Sequence, residues 1–311
     1  MHYTGTVWRP PYEASSLLLE VTAGCTHHRC KFCTLYHDLP FRFRMSPMED
    51  IESDLLEAQL WSTDPIAMLS ARLQGLPGPG KVRRVFLVGA NPFVLHFRKL
   101  KAIAEQIHRY LPSAESIGCF ARVTDISLKS DEELAELRQI GYDRITIGVE
   151  TGDDRALSFM NKGYSSQAIM EQTRRLDDAG ISYYFFYLAG ICGAGRGVEG
   201  AKKSAEVFNQ THPLMIGSSM LTIFPESELY QEIQRGNWKE ESELEKLTEL
   251  KTLIAHLEIV TRIATDGASN LVQVRGNLPE DKEKLVRNLE HLIHTVDEAR
   301  LREYRVNLNH L

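Results

Sequence analysis

Ser16-Leu17-Leu18-Leu19-Glu20-Val21-Thr22 runs almost directly into Gly24-Cys25-Thr26-His27-His28-Arg29-Cys30-Lys31-Phe32-Cys33. The first stretch is short, apolar and rich in strand formers, as a buried strand is. The second places three of the five cysteines within nine residues, with the spacing C-x4-C-x2-C. An odd cysteine count and this density suggest a metal site, not a disulfide framework. Three thiolates on one loop after a strand can wrap a metal or an iron–sulfur cluster. Structural zinc wants four ligands, and His27, His28 or His37 would supply the fourth. A [4Fe–4S] cluster held by three cysteines instead leaves one iron open to a substrate. Cys119 and Cys192 lie apart, on or near other strands.

Working outward, the chain alternates. A helix is expected over Met48 to Trp61, then a long loop or insertion over residues 62 to 81, where Pro65, Gly75, Pro77, Gly78, Pro79 and Gly80 accumulate. Further strands are expected over 84–89, 115–120, 144–149, 181–189 and 214–223. Between them lie apolar spacings of three and four, among them Leu100, Ile103, Ile107 and Leu111. Ser130 with Glu133 makes a capping box that opens a helix to Ile140. Helices follow over about 153–161, 166–179 and 198–209. Six β-then-α units with strands apolar on both faces demand a parallel sheet with right-handed crossovers. Tyr183 to Tyr187 are five consecutive aromatic residues. Alternation sends their rings to both faces, one set inward and the other under helices.

The last 85 or so residues differ. Leu244, Leu247, Leu250, Ile254 and Leu257 predict an amphipathic helix whose acidic side is a solvated outer face. An irregular stretch from Ala264 to Gly276 and a helix from Pro279 to about Val296 come after it. The expected architecture is α/β: a partial (β/α)6 barrel of parallel strands over residues 1–235, and a helical C-terminal cap over 236–311 packed on it.

Composition narrows the function. The 311 residues are 43% hydrophobic and 25% charged, with a net charge of −6, so the chain is globular and has no overall basic field to draw it to nucleic acid. The longest stretch without Asp, Glu, Lys or Arg, Val207 to Pro225, holds too many polar residues for a membrane span. The N-terminus lacks the charged and apolar regions of a signal peptide. A cytoplasmic location is therefore expected, with reduced thiols and no membrane partner.

These residues resemble the radical S-adenosylmethionine (radical SAM) enzymes. Their usual spacing is C-x3-C-x2-C with an aromatic residue before the third cysteine. Phe32 matches that residue, and the first gap here is one residue longer. Leu87-Val88-Gly89-Ala90-Asn91-Pro92 stands where the family carries a Gly-Gly-Glu-type motif; Gly89 is kept and the acid is missing. Ile147-Gly148-Val149-Glu150-Thr151-Gly152-Asp153-Asp154 with Met160-Asn161-Lys162-Gly163 is similar to the fourth-strand signature of the methylthiotransferase, elongator and oxygen-independent coproporphyrinogen oxidase branches. Leu188-Ala189-Gly190-Ile191-Cys192-Gly193 resembles the family's glycine-rich end of the fifth strand. The resemblance spans about residues 15–235.

The resemblance implies that Cys25, Cys30 and Cys33 hold a [4Fe–4S] cluster whose open iron chelates S-adenosylmethionine. One-electron cleavage then gives a 5′-deoxyadenosyl radical that abstracts hydrogen. Gly89, Ala90, Asn91 and Pro92 would approach the methionine moiety, and Gly190 would lie beside the adenine. Glu150 would meet the ribose hydroxyls or the ammonium; its alternative is a salt bridge to a neighbouring arginine. Arg122 would hold the carboxylate through its fork, with Arg196 a second choice. Cys192 is either a substrate-side thiol or a small packing residue, and Cys119 is read as core. The expected partners are a small organic substrate and a flavodoxin- or ferredoxin-type electron donor, with no nucleic-acid partner. The chain has too few cysteines for a second cluster, and its length leaves no room for the extra cluster and RNA-binding domains of methylthiotransferases. The rivals are a radical SAM enzyme acting on RNA or a peptide, and a zinc-stabilised binding protein.

Overall fold

In the computed structural model, which describes residues 1–74, 80–270 and 272–308, the chain falls into two units. The first is Met1–Thr26, Tyr36–Ile145 and Ala179–Ile181; the second is His27–Leu35, Thr146–Asp178 and Ser182–Leu311.

The first unit contains β1 (Leu17–Glu20), β2 (Thr22–Gly24), β3 (Phe43–Met45), β4 (Arg84–Val88) and β5 (Ser116–Ala121). β1 and β5 flank β4 in parallel register, with Leu19 opposite Leu87 and Phe86 opposite Gly118. Val85, Phe86, Leu87, Ile117 and Cys119 are fully buried. That follows from parallel strands with both faces covered, and it makes Cys119 a core residue. β2 and β3 form a separate antiparallel pair. The helix Phe97–Tyr110 buries Leu100, Ile103 and Ile107, the stripe predicted from spacing. The Ser130–Glu133 capping box is formed in both directions.

The stretch expected to be a loop is in part a helix, Pro65–Leu73. Asp64 caps it by accepting from the Ile66 N–H at 2.8 Å. Pro65 occupies the first turn, where a missing N–H breaks no bond. Gly75, Pro77, Gly78 and Pro79 of that expected loop lie outside the described residues.

The second unit contains β6 (Ile145–Glu150), entered from the last residue of the first unit, β7 (Tyr183–Ala189), β8 (Met215–Met220), β9 (Thr261–Ala264) and β10 (Arg275–Leu278), neighbours in that order. β7, β8 and β9 run parallel and β10 closes the series antiparallel. All six strands read from the sequence are therefore present, β1 and β4 through β8, and the fold class is α/β with a mostly parallel sheet and C-terminal helices.

β9 and β10 take in only the two ends of the stretch 264–276 read as irregular; its described residues between 265 and 274 are in neither helix nor strand. The two strands do correct the reading of the C-terminal part as helical. Each is only four residues long, too short to show a period. Along β7 the aromatic run alternates: Tyr183, Phe185 and Tyr187 are buried, and Tyr184 and Phe186 are half-buried. The buried set packs on Phe208 of the helix Gly197–Phe208, with Phe185 and Phe208 ring centres 5.0 Å apart.

The helix Glu243–His256 forms where its leucines predict, but three of its charges do not face water. Glu243, Lys246 and Glu249 are as buried as Leu247, Leu250 and Leu253. Among the described residues, no helix is long and apolar enough to cross a membrane.

Candidate active site

In sheets of β/α units, ligands bind where strands end and the following loops begin. Two such groups of strand ends carry the residues singled out from the sequence, one in each unit.

In the first unit the turn after β4 is built on Gly89, at φ +130°. A Cβ there would overlap the Thr22 hydroxyl and lie 2.5 Å from the Thr22 carbonyl oxygen, so only glycine lets the β4 turn approach the β2 backbone. Asn91 is fully buried. Its Nδ2 donates to Thr26 Oγ1 at 2.9 Å and to the Asp125 carboxylate at 3.1 and 3.2 Å. Among the described residues, no donor reaches its Oδ1. Arg122 leads from β5 into the short helix Val123–Ile126; its N–H donates to Asp125 Oδ2 at 2.8 Å and its Nη1 to Thr124 Oγ1 at 3.0 Å.

Asp125 thus joins two predicted site residues, a role that the sequence reading missed. Burial raises its carboxyl above the usual range, against the opposing pull of these donors. Burial also lowers Lys129, which donates to the Asp125 carbonyl oxygen, to about 8. Cys25 follows Gly24, at φ +78°, where a Cβ would overlap the Arg42 carbonyl oxygen, and the Cys25 N–H donates to that same oxygen at 2.9 Å.

The loop His27–Leu35 belongs to the second unit. Its Cys33 N–H donates to the Cys30 carbonyl oxygen at 3.1 Å. The Lys31 N–H donates to Met160, and the Lys31 carbonyl accepts from the Leu229 N–H at 2.7 Å. Phe32 packs against a buried cluster that includes Met160, Leu188, Ile191 and Leu229, so apolar burial anchors the segment between Cys30 and Cys33. The His27 ring pairs with the Asn161 carbonyl.

Glu150, the last residue of β6, has φ +62°, a conformation uncommon outside glycine. Its protein partner is a lysine, not the arginine of the alternative reading: Lys162 Nζ donates to Glu150 Oε1 at 3.0 Å, with both side chains about nine-tenths buried. Lys162 also stands 5.6 Å from the Phe32 ring centre and 5.5 Å from that of Tyr164. The second choice for a carboxylate-binding arginine, Arg196, instead faces Asp153 at 3.5 Å.

Gly190, at φ +92°, follows β7, and a Cβ there would lie 3.0 Å from Lys246 Cε. Cys192 is buried against Gly200 and lies 4.0 Å from Thr151 Oγ1. Burial pushes its thiol far up, as in a packing residue rather than a reactive one.

None of the five cysteines, all described, is in a disulfide. Among the described residues, no group of three or more His, Cys, Asp and Glu side chains is arranged to hold a metal ion. The match of residues to cofactor therefore lies in three features: the donor chemistry of three reduced thiols, the glycine turn that a Cβ would fill, and the orphaned buried Asn91 oxygen. These suit a soft cluster and a polar ligand.

A family model described as the Radical SAM superfamily matches residues 19–193, more than half of the chain. The chain belongs to the radical SAM superfamily. It is accordingly a radical SAM enzyme whose cofactors are a [4Fe–4S] cluster and S-adenosylmethionine. A tRNA uridine(34) acetyltransferase of Methanocaldococcus infernus is 23% identical over 277 residues, covering 80% of this chain and 51% of that protein. The chain thus spans about half the length of this curated relative. Coproporphyrinogen III oxidase (HemN) of Escherichia coli superposes with a TM-score of 0.53 at 16% identity, over 77% of this chain and 51% of that one. Methylornithine synthase (PylB) does so with a TM-score of 0.51 at 14% identity, over 93% and 85%. At these identities the two solved structures share the fold with this chain, as the series of parallel β/α units requires.

Proposed function

We propose that Cys25, Cys30 and Cys33 hold the cluster and that Gly89 to Pro92, Arg122, Glu150 and Gly190 bind S-adenosylmethionine. The single observation behind this ligand set is the three-thiol loop directly after β2, within the matched region. When bound, the cluster supplies an electron for reductive cleavage of S-adenosylmethionine, which permits hydrogen abstraction from a substrate. Phe32 keeps water from the loop between Cys30 and Cys33. The Gly89–Pro92 backbone lies against the methionine moiety, where the free Asn91 Oδ1 accepts from an ammonium group. The Arg122 fork holds the carboxylate. Glu150, held by Lys162, accepts from ribose hydroxyls, and the Gly190 turn takes the adenine.

This reading is tested by reconstituting the protein anaerobically with iron and sulfide. The wild type should carry four irons per chain, and the Cys25→Ala/Cys30→Ala/Cys33→Ala variant should carry no cluster. Four irons in the triple variant would overturn the ligand assignment, and a colourless zinc-loaded wild type would favour a binding protein.

For the substrate we infer a small organic molecule, in keeping with a net charge of −6, with a flavodoxin- or ferredoxin-type donor in a reducing cytoplasm. A second reading, RNA, is favoured by the name of the archaeal relative, a tRNA uridine(34) acetyltransferase. Transfer RNA that accelerates 5′-deoxyadenosine formation would decide for RNA, and a rate indifferent to it would decide for the small molecule.

A further inference from the structure

The inward charges of the helix Glu243–His256 form one network behind the end of β7. Lys246 Nζ reaches Glu240 at 2.9 Å, Glu243 at 3.3 Å and the Leu221 carbonyl at 3.1 Å. Arg305 contacts Glu243 at 2.6 Å, and Arg302 contacts Glu240 at 2.7 Å. Glu249, fully buried, accepts from the Tyr187 hydroxyl and, through Oε2 at 2.7 Å, from the Gly190 N–H.

A second carboxyl faces Glu249. A Cβ on Gly197 would lie 2.7 Å from both Glu241 oxygens and 2.9 Å from Glu249 Oε2, so the two acids converge over a residue with no side chain. Glu241 is 1% exposed, and among the described residues no donor reaches either of its oxygens. Two adjoining carboxylates in a dry site cannot both stay ionised, and one shared proton resolves the conflict. Burial raises Glu241, reinforced by Glu249, and burial raises Glu249 against the pull of the Tyr187 and Gly190 donors. The other ionisable groups facing the pair are Tyr187 of β7, Cys192 after it, and Lys246 and Glu245 of the helix.

We propose that Glu249, sharing a proton with Glu241, is a positioning residue that sets the Gly190 turn for the nucleoside end of S-adenosylmethionine. This rests on the assignment of that turn to the adenine, made above. Loss of the shared proton at alkaline pH places a second negative charge behind the turn and loosens the site. Because the folded pair binds more protons than the unfolded one, its linkage lowers stability as pH rises.

The test is calorimetric binding of S-adenosylmethionine to the reconstituted protein between neutral and alkaline pH, for the wild type, Glu241→Gln and Glu249→Gln. Glu241→Gln supplies a permanent donor, so its affinity should match the wild type at neutral pH and fall less at alkaline pH. Titration of the ligand itself is common to both proteins and cancels. Glu249→Gln cannot accept both donors with one amide oxygen and should bind about five- to tenfold more weakly. Infrared spectra of the apoprotein give a second readout: a protonated-carboxyl band at neutral pH, absent from Glu241→Gln. Identical pH profiles in wild type and Glu241→Gln, or no such band, overturn the proposal. A wild type that carries its cluster yet binds no S-adenosylmethionine at any pH overturns instead the assignment of the turn, and the band then reports on the pair alone.

Discussion

Replacing Lys162 with Met should destabilise the protein far more than loss of a surface charge does. The Lys162–Glu150 contact is 3.0 Å long and both partners are about nine-tenths buried. At that distance the attraction is about 5–6 kcal/mol for an effective dielectric constant near 20. Much of this offsets the desolvation of the two groups, so the intact pair adds little net stability. Removing only the cation leaves the buried Glu150 carboxylate alone, at a cost of about 3–5 kcal/mol. Methionine also gives up the ammonium's place 5.6 and 5.5 Å from the Phe32 and Tyr164 ring centres, a further cost of about 0.5–2 kcal/mol. Lys162→Met/Glu150→Gln should recover most of the loss, to within about 2 kcal/mol of wild type, because neither orphaned charge remains. The assay is urea unfolding of the apoprotein, followed by circular dichroism and tryptophan fluorescence, whose coincidence checks for a single transition. A single-variant loss below about 1 kcal/mol, the size seen for exposed pairs, would refute the reasoning. So would additive single and double variants, since residues in contact should couple.

Three further outcomes are expected. Asp153 is raised by burial, but the Ala156 N–H, Lys203 and Arg196 outweigh that and leave it below its usual value. The stability it contributes should be full above about pH 4 and lost as pH falls through the lowered value. Asp153→Asn, which keeps the helix cap, should therefore cost about 1 kcal/mol near neutrality and nothing in strong acid, as read from unfolding at each pH. Gly89→Ala should cost at least about 1–3 kcal/mol from its backbone conformation alone and weaken S-adenosylmethionine binding; wild-type melting and affinity would show that the turn is not closed on Thr22. Cys119→Ala and Cys192→Ala should retain the full iron content, since both thiols are buried in packing; iron loss in either would make that cysteine a ligand.

The β/α series was legible because six strands are apolar runs buried on both faces, and such runs announce themselves locally. So did the capping box at Ser130, whose partners are three residues apart. What failed was long-range. The helix Glu243–His256 was read with its acids in water, because nothing in its own sequence shows that Tyr187, Gly190, Arg302 and Arg305 come to meet them. Lys162 lay inside a quoted motif, yet its pairing with Glu150 needs the turn at Asn161, whose φ is +56°. Asp125 carried no signal beyond being an acid three residues after Arg122, and only the fold sets Asn91 on its other side. The helix Pro65–Leu73 was hidden by the prolines and glycines that follow it.

The central claim is that a three-cysteine cluster in this chain cleaves S-adenosylmethionine reductively. Its most direct test is to incubate the reconstituted protein anaerobically with dithionite and S-adenosylmethionine and to quantify the nucleoside products by chromatography. The account predicts slow formation of 5′-deoxyadenosine even without a substrate, abolished in the Cys25→Ala/Cys30→Ala/Cys33→Ala variant. Methylthioadenosine alone, or no product at all from a protein that carries its cluster and binds S-adenosylmethionine, would contradict it.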